Sequence, residues 1–164
     1  MSRSDPAAPG RRVLRLWRRL SPLPGGSWLF SRLLGRIVPY SGTTGAAVRE
    51  LAPGRCRLTL RDRRRVRNHL GSVHAVALVN LGELATGLAT LTALPAGVRG
   101  IVVGLEAEYE KKARGRLTTK CRTDPPEEVT GTTEHRPRAE IRDGEGDRVA
   151  VVRTVWRLDP PEGE

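Results

Sequence analysis

The chain has 164 residues, enough for one domain with a real core, and a formal net charge of +11 from 26 arginines and three lysines against 18 acids. Aromatic residues make up only 4% of it, so the core must be built mostly of Val, Leu and Ala, and no base-stacking platform is interleaved with the arginines. That argues against nucleic acid as a partner, and the excess of Arg over Lys, with abundant Ala and Gly, is partly what a GC-rich coding bias produces. Cys56 and Cys121 are isolated, without a CxxC or His/Cys pattern suited to zinc. His69, His74 and His135 lack metal-ligand spacing. No metal or other cofactor is therefore expected. Arginines interrupt every apolar run near the start, which argues against a signal peptide and for a cytoplasmic protein with reduced thiols.

Residues 1–10 are polar and rich in Pro and Ala, a composition that reads as disordered. Residues 11–20 place Val13, Leu16, Trp17 and Leu20 on one helical face with arginines opposite. After Pro22 and Pro24, residues 27–38 set Leu29, Phe30, Leu33, Leu34, Ile37 and Val38 at helical spacing, and Pro39 closes the pattern. A basic amphipathic segment such as 11–38 can lie on an anionic membrane, but covering a sheet edge or a pocket is the commoner use and the favoured reading. Residues 1–39 thus form a start segment and a helical extension, and residues 40–160 the main domain.

From Gly42 the period changes to two. Strands are predicted over 45–51 and 55–61, joined by the Pro53-Gly54 turn. Further strands follow over 101–109, where Ile101, Val103, Leu105, Ala107 and Tyr109 alternate, and over 117–123 after a turn at 113–115. A last hairpin joins 130–142 to 149–158 across Asp143-Gly144-Glu145-Gly146. Strands on both sides of one apolar helix suggest an α+β arrangement with a sheet wrapped around the helix, and the pattern alone does not separate that wrap from another α+β fold.

That helix lies in the stretch from Leu70 to Val98, which holds one charged residue, Glu83, in a chain that is 29% charged. His74, Asn80, Glu83 and internal glycines argue for a buried core helix rather than a membrane span. A carboxylate in apolar surroundings costs several kcal/mol or shifts its pKa until it is neutral, so it is usually kept because something uses it. Upstream, Asn68, Gly71, His74 and Glu83 form N-x-x-G-x-x-H-x8-E. With the helix starting near Ala75, Glu83 lies about 12 Å along the axis from that start, on the side opposite His74. One subunit cannot then easily bring Glu83 beside its own Asn68. Two copies related by a twofold axis can.

This spacing resembles the signature of hotdog-fold acyl-CoA thioesterases of the phenylacetate-pathway type, and the strand order over residues 40–158 is similar to theirs. The resemblance implies a hotdog fold with an N-terminal helical extension, a homodimer or dimer of dimers, an acyl-CoA substrate and no cofactor. It implies that Glu83 is the general base or the nucleophile, and that the backbone N–H of Ala75 stabilises the oxyanion. Asn68 from the other subunit would orient the water or the carbonyl, beside the turn at Gly71. His74 would hydrogen-bond in the pocket or cap the helix. Ala75-Val76 stands where relatives carry Gly-Gly. Gly87 stands where some carry a water-holding Thr, a role left to Thr86. Arg64, Arg65, Lys111, Lys112 and Arg114 would meet the phosphates of coenzyme A at the pocket mouth, or else be a solvated charge run. The rival reading is a non-catalytic hotdog protein that binds acyl-CoA or an acyl chain.

Overall fold

The computed structural model describes residues 9–161. Three helices come first: α1 (Pro9–Leu20), α2 (Gly26–Ile37) and α3 (Pro39–Thr44). The disorder expected for residues 1–10 falls on residues outside those described, except that Pro9 and Gly10 already belong to α1. Pro39 does not end the helical region as the sequence suggested. Val38 is extended, with φ −117° and ψ 80°, and Pro39 opens a new helix. Proline suits a first helical position because its missing N–H would have no intrahelical acceptor there. Gly45, left-handed at φ 70°, stops α3, so the first strand starts at Ala47 rather than at Gly45.

The strands are β1 (Ala47–Ala52), β2 (Arg55–Arg61), β3 (Arg99–Tyr109), β4 (Arg116–Arg122), β5 (Thr133–His135), β6 (Arg138–Arg142) and β7 (Arg148–Asp159). They form one antiparallel sheet in the order β1-β2-β4-β6-β7-β3, with β5 also on β7. The strand expected over 130–142 is split at Pro137, which has no N–H for the ladder. Cys56 and Cys121 prove to be direct cross-strand neighbours, buried and unbridged.

The long helix α4 (Ala75–Ala93) is long and apolar enough to cross a membrane, yet it lies at the centre of this fold, with the sheet curled around it and α1 packed on it. Its fully buried Leu81, Ala85 and Ala89 meet Leu58, Leu60, Leu117, Ile141 and Val152 of the sheet in one core. Gly82 sets how closely helix and sheet approach. A Cβ there would stand 2.4 Å from the Val152 Cβ, so only hydrogen fits between α4 and β7.

The two edges of the sheet are treated differently. At β1, α2 takes the place of a further strand: the Ser27 hydroxyl donates to the Val48 carbonyl (2.5 Å), and the Val48 N–H donates to Ser31 Oγ (2.9 Å). α1 locks onto α2 through an edge-to-face contact of Trp17 and Phe30, with ring centroids 5.0 Å apart. At the far edge, the 11-residue strand β3 pairs only with β7 among the described residues. Its register shifts between Val102 and Gly104, a bulge at Val103. The five alternating apolar residues of β3 therefore do not share one face. Ile101 sits opposite Arg157 on the outer side, while Leu105 and Ala107 sit opposite the buried Thr154 and Val152 on the helix side. Ile101, Val103, Leu105 and Tyr109 stay about half exposed on this open edge, as does Val76 in the first turn of α4.

Candidate active site

The loop before α4 is built around one side chain. Asn68 Oδ1 accepts hydrogen bonds from the N–H groups of Leu70 (3.0 Å) and Ser72 (3.2 Å) and from the Ser72 hydroxyl (3.2 Å). Of the two ends of the side-chain amide only the oxygen can accept, so its orientation is settled by these partners. The chain turns at Gly71, whose φ of 67° is a conformation that other residues rarely adopt. With Oδ1 occupied, Asn68 has only its NH2 left, and it can act on a ligand as a donor.

His74 is the N-cap of α4. Its Nδ1 accepts from the Val76 N–H (3.1 Å), so this ring nitrogen carries no proton and the histidine caps the helix rather than filling a pocket. The Ala75 N–H has no acceptor among the described residues. It stands at the positive end of a 19-residue helix, where a developing negative charge is stabilised. Replacing Gly-Gly by Ala75-Val76 therefore leaves the donor in place. The added Val76 side chain is half exposed and points away from the core.

Glu83 follows two turns later. Val76, Val79 and Glu83, spaced three and four apart, form the less buried stripe of a helix that is otherwise enclosed. Its carboxylate makes no hydrogen bond or ion pair among the described residues, and burial pushes its pKa above the ordinary glutamate value. Among the described residues, no arginine pairs with it. A Cβ on Gly87 would lie 3.8 Å from Glu83 Oε1 and 3.2 Å from the ring of Trp156. The indole occupies the space a threonine would need at position 87. Nor does Thr86 supply the missing hydroxyl, because it is fully buried and donates to the Glu83 carbonyl (2.9 Å). Trp156, whose Nε1–H donates to Thr154 Oγ1 (3.0 Å), is the wall of this site that sequence reasoning missed. In the sequence it is one more apolar residue of an alternating strand.

The basic residues divide. The backbone brings their two segments side by side, since the Val73 N–H donates to the Ala113 carbonyl (2.8 Å) and the Gly115 N–H to Asp62 Oδ2 (3.0 Å). Asp62 also receives Arg67 Nε at 2.6 Å, and that bond is the main reason its pKa lies below the usual carboxylate range. Arg64, Lys112 and Arg114 are exposed on this surface. Arg65 belongs elsewhere: its guanidinium lies over Gly45, on the α2–α3 side. Lys111 departs most from expectation. Its ammonium sits 2.8 Å from Asp143 and 2.7 Å from Asp147, in the β6–β7 turn, and these bonds raise its pKa. The carboxylates of Asp143, Glu145 and Asp147 lie within 4.8 Å of one another, and Lys111 is the cation that they hold. It is committed to the fold and has no free charge to offer a phosphate.

A family model described as a domain of unknown function, DUF4442, matches residues 26–158. Among solved structures, the structural-genomics protein APC5556 superposes with a TM-score of 0.77 at 28% identity, over 92% of this chain and 97% of its own. PA5026 of Pseudomonas aeruginosa, described as a protein of unknown function and probable thioesterase, superposes with a TM-score of 0.72 at 25% identity, over 84% and 96%. The Haemophilus influenzae thioesterase HI1161 superposes with a TM-score of 0.65 at 16% identity, over 80% and 91%, a likeness of fold alone. No curated protein sequence matches. The fold is the hotdog fold, an antiparallel sheet wrapped around a central helix.

Proposed function

This chain belongs to the DUF4442 family, and we propose that it hydrolyses acyl-CoA thioesters at a site shared by two copies of the chain, in the manner of the phenylacetate-pathway branch of hotdog thioesterases. The observation that carries this reading is Glu83, a half-buried carboxylate with a raised pKa, no partner among the described residues, and a place on the less buried stripe of α4. Such a group is suited to act as a base near neutral pH. The probable-thioesterase description of PA5026, at 25% identity, supports the reaction class.

In this mechanism Glu83 takes a proton from water as the water oxygen attacks the thioester carbonyl. The carbonyl oxygen becomes an oxyanion, held by the N–H of Ala75 of the partner subunit at the positive end of that subunit's α4. The amide NH2 of Asn68 of the partner subunit donates to the water or the carbonyl. Collapse of the intermediate expels the coenzyme A thiolate, which recovers the proton from Glu83. A second copy meets Glu83 if the open edge of β3 pairs with the β3 of the partner. A long, unpaired edge with exposed apolar residues is the feature that soluble proteins normally cover.

A second reading, binding of acyl-CoA without turnover, is favoured by Trp156, which leaves no place for a water-holding hydroxyl at position 87. Thiol release measured across a series of acyl-CoA chain lengths separates the two. Turnover at any length supports the thioesterase. Saturable binding by calorimetry with no thiol released selects the binding protein.

A further inference from the structure

The N-terminal helices leave a cavity of about 420 Å³ against the β1–β2 edge, lined by Arg32, Arg36, Arg49, Arg61, Arg63 and Arg65. No carboxylate lines it, and none of these six arginines has an ion-pair partner among the described residues. Several arginines elsewhere meet an acid, among them Arg57, Arg67, Arg136, Arg142, Arg148 and Arg153, and others on the surface do not; what sets these six apart is that they share one cavity. Six like charges around one cavity repel, and the arrangement is completed by an anion. Guanidinium groups suit phosphate in particular, because their planar donors match its oxygens.

The same surface carries a second feature. On α2, the exposed face consists of Trp28, Leu29, Arg32 and Arg36, which fall within about 100° of arc at 100° per residue, and all but Leu29 border the cavity. Trp28 is 65% exposed, with Arg32 stacked over its ring at 5.7 Å, and it also stands at the wall of the cavity. Leu23 before α2, Ile37 at its end, and Val38 and Tyr40 after it are exposed as well, Ile37 to 65% and Tyr40 to 62%. Half of the large apolar residues that the described chain exposes therefore lie between positions 23 and 40. Trp and Tyr favour the boundary between water and hydrocarbon, and arginine beside them meets lipid phosphates.

From these two observations we infer that the α2–α3 surface docks on an anionic phospholipid bilayer, with Trp28, Leu29, Ile37 and Tyr40 entering the interface and a lipid phosphate held in the arginine cavity. α2 thus has two faces with two tasks. Ser27 and Ser31 close the sheet edge, and the exposed face meets the membrane. The inference does not depend on hydrolysis, because vesicle binding is read without any substrate.

The test uses the full chain with vesicles of phosphatidylglycerol and phosphatidylcholine, or of phosphatidylcholine alone. Trp17 and Trp156 are buried, so a change in tryptophan emission reports mainly on Trp28. The expected result is flotation with the anionic vesicles and a blue shift of the emission. Arg32→Gln with Arg36→Gln should weaken partitioning about 30-fold, since each interfacial cation counts for about a factor of five. Trp28→Ala with Ile37→Ala and Tyr40→Ala should lower it at least tenfold, while the melting temperature of both variants stays near that of the parent. Failure to bind anionic vesicles overturns the proposal. So does binding that the apolar triple variant leaves unchanged. Binding of inorganic pyrophosphate or coenzyme A in the cavity without any vesicle binding also overturns it, and makes the cavity a site for a soluble phosphate ligand.

Discussion

Leu105→Lys isolates the role proposed for the β3 edge. Leu105 is 52% exposed and faces the helix side of the sheet, opposite Thr154. Burying a whole leucine is worth about 1.5–3 kcal/mol, so covering the half that remains exposed is worth about 1 kcal/mol. In a twofold dimer the residue counts once in each copy, which makes about 2 kcal/mol, or about 30-fold in the dissociation constant. Desolvating the new ammonium in each copy adds to that loss. The isolated subunit should be nearly indifferent, because an exposed substitution usually shifts stability by no more than about 0.5 kcal/mol. Sedimentation velocity over a concentration series reads the association, and thiol release at the same concentrations reads the activity. Both should fall together. A parent protein that is monomeric at micromolar concentration, or a Leu105→Lys protein that sediments and turns over like the parent, would refute the edge-paired dimer and the shared site built on it.

Asn68→Asp keeps the oxygen that holds Leu70 and Ser72 but removes the amide donor; stability should change by less than about 1 kcal/mol while acyl-CoA turnover drops about 100-fold, the scale of losing one preorganised donor. Retained turnover would reduce Asn68 to a turn residue. Gly82→Ala drives a methyl to 2.4 Å from the Val152 Cβ, and no rotamer of Val152 moves that atom. The overpacking of about 1–3 kcal/mol outweighs a helix-propensity gain of up to about 1 kcal/mol, and the melting temperature should fall by several degrees. A rise would mean that α4 does not rest on β7 as described. The pH dependence follows from the raised pKa of Glu83. The acidic limb of kcat/KM should lie above the ordinary glutamate value of 4.5 and vanish in Glu83→Gln. A group whose folded pKa is raised favours folding most when it is protonated. The parent should therefore lose stability relative to Glu83→Gln as pH climbs through the folded pKa, and differ from it by a constant amount on either side.

Much of the fold was legible in the sequence because the burial period changes sharply where the elements change. The limits of β2 and the start of α4 at Ala75 follow from the Pro53-Gly54 turn and the end of the polar run, while the wrap of strands around one helix is chosen among α+β arrangements by the family resemblance. What failed depended on contacts distant in sequence. The bulge at Val103 is a property of pairing with β7, and the alternation from Ile101 to Tyr109 contains no sign of it. Pro39 reads equally well as a stop or as a start until the turn at Val38 is seen. At the site, the order Asn68, Gly71, His74, Glu83 could be read because it is local. Trp156 could not, since it reaches Gly87 from the other end of the chain. Lys111 looked free because Asp143 and Asp147, which hold it, are more than 30 residues away.

Glu83→Gln tests the central claim most directly, with thiol release and thermal unfolding measured on the same preparation. The change keeps shape and hydrogen-bonding capacity and removes the base. Hydrolysis of the preferred acyl-CoA should fall about 100-fold or more. Melting temperature should hold or rise, because the carboxylate is half-buried and has no partner among the described residues. Turnover retained together with a loss of about 3–5 kcal/mol would mean that Glu83 holds a buried cation, and the catalytic assignment would be wrong.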